Sequence, residues 1–139
     1  MAATAAMVAE LRRMVNELDA TTYDDDTLEL YIERYPVLDV LGRDPQEISY
    51  LTSPPTLSED SNWIPTYDLH AAAADIWQEK SATVAEDYNF TADGGTLARG
   101  DVQRHYQEQA RFHLSRRKTK TTRLWVEPRI TASEESNED

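Results

Sequence analysis

Few residues of this chain have the types and spacing that chemistry needs. Of three histidines, His70 lies among alanines, while His105 and His113 share a predicted helix eight residues apart. A zinc site on a helix wants histidines four apart with a third ligand, so these read as structural or surface side chains. With no cysteine there is no disulfide, no thiolate ligand and no thiol nucleophile. Gly95 and Gly100 come nearest to a phosphate loop, but Asp101 stands where its lysine must be. Ser115, between Leu114 and Arg116, has no nucleophile-elbow context, and neither G-x-S-x-G nor H-E-x-x-H occurs. The run Asp24-Asp25-Asp26 suggests a metal, but carboxylates just before a helix serve better as caps. Arg99-Gly100-Asp101 and the sequon Asn89-Phe90-Thr91 carry no weight in a predicted helix and an unsecreted chain. The expectation is a protein without catalytic residues, metal or cofactor.

The elements that would position any site are mostly helical. Met7, Val8, Leu11, Met14, Val15 and Leu18 recur with helical period and predict a helix over about 5–18. Asp26 with Glu29 has capping-box spacing, and Leu28, Tyr31, Ile32 and Tyr35 then form one apolar face until Pro36. Residues 36–62 hold four prolines and Gly42 without a sustained period, which predicts a long loop with one helical turn near 45–50. The strongest helix runs over about 65–86, opened by Pro65 and carrying Leu69, Ala73, Ile76, Trp77 and Val84. After the turn signal Asp93-Gly94-Gly95, another helix over about 97–116 carries Val102, Tyr106 and Ala110. These eight residues are the expected core of an antiparallel hairpin, with Trp77 on Tyr106 or Ala110. The predicted class is therefore all-α, with two shorter N-terminal helices. The predicted organisation is a helical domain over 1–118, an extended arm over 119–130 and a disordered acidic tail over 131–139.

Charge is distributed unevenly. Of 26 acids and 14 bases, residues 1–98 hold 19 acids and 5 bases, while residues 99–130 hold 9 bases and 3 acids. An acidic body repels nucleic acid over most of its surface. The basic stretch Arg116, Arg117, Lys118, Lys120, Arg123 and Arg129 leads into Leu124, Trp125, Val126 and Ile130. Three readings compete. The bases could complement a helix C-terminus. They could touch nucleic acid, although interleaved aromatics are scarce. They could form a protein-contact arm, the favoured reading, because Trp and Arg dominate interface hot spots. No apolar run reaches the roughly 18–20 residues of a membrane span. The arginines after the apolar N-terminal residues argue against a signal peptide. The expected protein is soluble and made inside the cell.

The order of motifs resembles a known family. Pro65-Thr66-Tyr67-Asp68-Leu69, running through Ala71-Ala72-Ala73-Ala74-Asp75-Ile76-Trp77 to Glu79-Lys80, resembles the long helix of head–tail connector (adaptor, or head-completion) proteins of long-tailed double-stranded DNA viruses. The stretch from Asp87-Tyr88-Asn89-Phe90 to Gly94-Gly95 resembles their turn. The helix ending in Arg111, Arg116 and Arg117, and the early Tyr31-Ile32-Glu33-Arg34-Tyr35-Pro36, are similar too. The likeness spans residues 8–117 and is most specific over 65–117. Gly100 in the first turn and the longer 37–62 stretch depart from it. The resemblance implies a structural virion protein at the portal vertex, made in the host cytoplasm. It implies a ring of about twelve copies between the portal protein and a stopper, or head-closure, protein. The genome would pass through this ring without specific binding, and the basic arm would hold the portal. The rival readings are another neck protein (a stopper or tail terminator) and a small nucleic-acid-binding regulator.

Overall fold

A computed structural model of the chain describes residues 2–88 and 96–118. The elements run α1 (Ala5–Met14), α2 (Asp25–Glu33), β1 (Gln46–Ser49), β2 (Thr56–Glu59), α3 (Leu69–Tyr88) and α4 (Thr96–Ser115). The all-α expectation is therefore wrong: the described residues form a mixed α/β structure with a two-stranded antiparallel sheet. The strands lie inside the stretch expected to be a loop, and β1 replaces the helical turn expected there. Four-residue strands with almost every side chain exposed leave no buried alternation to read. Pairing makes them: Gln46 opposes Glu59 and Ile48 opposes Leu57, extended by the Asp60 N–H donating to Pro45 O at 3.1 Å.

Helix α1 starts where the Thr4 hydroxyl accepts from Met7 N–H. It stops four residues earlier than predicted. Asn16 adopts φ 55°, its N–H donates to Arg13 O, and Glu17 N–H donates to Arg12 O. That paired closure is a Schellman cap, for which asparagine is the usual substitute for glycine. Leu18 prolongs the apolar stripe in sequence but lies past the cap and is exposed. Helix α2 is capped by Asp24, whose carboxylate accepts from Thr27 N–H at 2.8 Å, not by Asp26. Arg12 joins the two helices by donating to Asp25 Oδ1 at 2.6 Å and to the Glu17 and Asp19 carbonyls.

Helix α3 begins at Leu69 rather than Pro65, because Asp68 caps it by accepting from His70 and Ala71 N–H. Ala71, Ala72, Ala73 and Ala74 are all buried, so this turn is covered on every side. Small side chains allow that close approach. Accordingly α3 packs on α1, α2 and α4, and among the described residues α3 is the main neighbour of α4. Leu11, Val15, Leu28, Ile32 and Ile76 make the fully buried centre. Trp77 meets Tyr106 with ring centroids 5.3 Å apart and donates from Nε1 to Met14 O at 3.2 Å. His70 meets His113, so α3 and α4 run antiparallel. Among the described residues, the sheet packs against no helix.

Candidate functional site

Residues 36–68 leave the helical body and return to it through a closed base. Asp68 N–H donates to Tyr35 O at 2.9 Å, Val37 N–H donates to Thr66 O at 3.0 Å, and Pro36 bridges Tyr67. Trp63 is buried in this base, donates from Nε1 to Val37 O at 3.0 Å and stands edge-on to Tyr67. Asp39 ties the near half together. It accepts from the Leu41, Arg43 and Ile64 N–H groups and from Arg43 Nε, three of these bonds at 2.8 Å. Burial alone would push this carboxyl up. The bonds from the Arg43 and Ile64 backbone, the Arg43 guanidinium and the Leu41 backbone outweigh it and hold the group at about 2. Gly42 closes the turn at φ 73°, with its N–H on Asp39 O.

This firm base carries an apolar exterior. Eight of the thirteen exposed large apolar side chains among the described residues belong to the excursion: Leu38, Val40, Leu41, Ile48, Tyr50, Leu51, Leu57 and Ile64. Ile48 and Leu57, paired across the strands, share one face of the sheet and are 52% and 65% exposed. A two-stranded sheet is marginal in water without something on its apolar face. A contiguous exposed apolar patch usually marks an interaction site.

The body offers less chemistry. His70 Nδ1 and His113 Nδ1 lie 3.0 Å apart across the hairpin, so one ring donates and the other accepts. Burial first, then His70, holds His113 below the usual histidine value; the Met14 backbone opposes this and Arg116 reinforces it. No group of three metal-ligating side chains occurs among the described residues. The phenols of Tyr31 and Tyr35 donate to carboxylates and are held protonated. Burial and the bond to Glu79 push Tyr31 up to about 12, and the bond to Asp75 raises Tyr35. A cleft of about 540 Å³ runs beside Trp77, His105 and Tyr106, but its cation is already engaged. Lys80 Nζ donates to Glu17 Oε1 at 2.6 Å and to Val15 O at 2.7 Å, closing the end of α1.

Of the expected hairpin residues, Ala73, Ile76, Trp77 and Ala110 are buried. Leu69, Val84 and Tyr106 are half-buried, and Val102 is 41% exposed. Of the expected contact arm, Lys120, Arg123, Leu124, Trp125, Val126, Arg129 and Ile130 lie outside the described residues, as do the Asp93-Gly94-Gly95 turn and the 131–139 tail. The other three are exposed but root the arm in the body. Arg116 lies over the Phe112 ring at 4.5 Å, Arg117 over Tyr35 at 5.3 Å, and Lys118 N–H donates to Asp68 Oδ2 at 2.8 Å. Sequence reasoning missed the apolar excursion, Asp39, Asp68 and the histidine pair. The pair was within reach of arithmetic, because residues 70 and 113 sum to the same total as 77 and 106 in an antiparallel register.

No family model, curated protein or solved structure matches the chain. No helix among the described residues is long and apolar enough to cross a membrane.

Proposed function

We propose that this chain is a structural assembly subunit without catalytic activity, a connector ring component between the portal and the stopper of a long-tailed DNA virus. The exposed apolar side chains on a rigidly based excursion carry this reading. A protein acting alone gains nothing by holding Ile48 and Leu57 out on a sheet that, among the described residues, packs against no helix. The resemblance of residues 65–117 to head–tail connector proteins supports the connector class. A net charge of −12 suits a channel wall past which DNA slides, since phosphate capture needs Lys and Arg.

The test adds the purified chain to DNA-filled heads that lack a neck, followed by electron microscopy and mass measurement of the vertex complex. A ring of about twelve copies at the portal, with DNA retained, is the expected result. Failure to join the heads, or a stable dimer there, overturns it.

A further inference from the structure

We infer that the β1–β2 sheet of one copy receives residues 119–130 of a second copy as an added strand. This rests on the assembly reading and names the partner of the excursion within it. Among the described residues the sheet has only two strands, so each keeps one edge without a ladder partner. Its apolar face, built on Ile48 and Leu57, is exposed. Residues 36–62 hold five acids and one base, and the base, Arg43, is consumed by Asp39. Asp44, Glu47 and Glu59 make no ion pair among the described residues.

The occupant must therefore be extended, partly apolar and basic, and the chain carries one such segment. Residues 116–130 hold six bases and one acid. Thr122, Leu124 and Val126 alternate so that an added strand places them on one face. Added along the β2 edge with Val126 near Leu57, the strand would continue the Ile48–Leu57 face, and the bases of the arm would lie along the acidic excursion. Lys118 N–H is fixed to Asp68, so the arm departs from the body at a set point. Twelve extended residues from there reach about 40 Å, far enough to cross to a neighbour. A strand added between copies makes a head-to-tail contact, which closes into a ring when the rotation allows.

The chain has no cysteine, so single cysteines report cleanly. Full-length Leu57→Cys and full-length Val126→Cys, carrying different mass tags, are mixed and oxidised. The mixed disulfide should exceed either self-paired product by about tenfold. Lys120→Glu with Arg123→Glu in the arm copy should abolish that excess, and Glu47→Lys with Glu59→Lys in the receiving copy should restore it. Random pairing overturns the inference. So does a Leu57→Cys/Val126→Cys chain that closes on itself and leaves the mixed product absent. Failure is separable from failure of the connector reading. Cross-linking without ring formation on heads leaves this contact standing, and a ring without cross-linking removes this contact alone.

Discussion

In the helical body Leu11, Leu28, Ile32 and Ile76 have no exposed surface, whereas in the excursion Leu51 is 96% and Val40 85% exposed. The body is held by burial, with α3 enclosed by three other helices. The excursion is held by directed bonds instead: one carboxylate gathering three backbone N–H groups, one indole on a carbonyl, and a two-rung base. Such bonds fix a shape while burying few apolar side chains, Trp63 and Tyr67 at the base. That leaves the other apolar side chains free to face a partner. The two regions thus separate stability from contact, and each separation can be broken by experiment.

The largest expected effect falls on the body. Trp77 is buried, packs at a tilt against Tyr106 and donates to Met14 O, so it joins α3, α4 and the end of α1. Trp77→Ala should cost about 3–5 kcal/mol in chemical denaturation. An unchanged unfolding midpoint would mean that α3–α4 is not packed as described.

Acid should then divide the two regions. The folded His113 value lies below its unfolded 6.5, so the unfolded chain binds the extra proton first. Its contribution is fully present above 6.5 and is lost as the pH falls from there through the lower folded value. Asp39 titrates from 3.8 unfolded to about 2 folded, so its contribution is present above 3.8 and lost as the pH falls through about 2. Urea midpoints measured from about pH 8 to 5 should start to fall only below about 6.5, and His113→Gln should flatten that slope. Amides of Leu41, Arg43 and Ile64 should stay protected from hydrogen exchange over that same interval. Simultaneous loss of both signals would show one cooperative unit rather than two differently held regions.

What the sequence made legible follows the same division. Helical spacing exposed α3 and α4 because Ile76, Trp77 and Ala110 are buried in one core cluster, and burial is what periodicity records. It misplaced ends that local bonds decide: Asn16 terminates α1 against the apolar trend, Asp24 rather than Asp26 caps α2, and Asp68 rather than Pro65 opens α3. The sheet left no trace for a related reason. Strands that bury nothing have no period, and Ile48 becomes informative only once it is seen opposite Leu57. The signal that was present went unused: seven large apolar residues between 38 and 57 in a proline-rich stretch with no period are candidates for exposure, not for a loop alone.

A smaller gain is expected on the open side of α4. A Cβ added at Gly100 would meet nothing within 4 Å. Gly100→Ala removes backbone freedom from the unfolded chain and should stabilise the body by about 0.5–1 kcal/mol. A loss in thermal unfolding would mean that this turn of α4 is not helical in solution.

The smallest effect on stability is expected where the largest effect on assembly lies. Leu51, in the turn between the strands, contributes almost no burial, so Leu51→Ser removes little that folding had gained. Exposed substitutions of this kind stay within about 0.5 kcal/mol. Leu57→Ser should behave alike, because its cross-strand partner Ile48 is itself open to water. Both variants should melt with the parent protein and be more soluble at high concentration, since they shrink the apolar patch. Trp63→Phe provides the contrast within the same excursion. It keeps the buried ring but loses the bond to Val37 O, and should loosen the base by about 0.5–1.5 kcal/mol. If Leu57→Ser destabilised the chain as much as Trp63→Phe, the sheet face would be packed rather than presented, and the excursion would belong to the core.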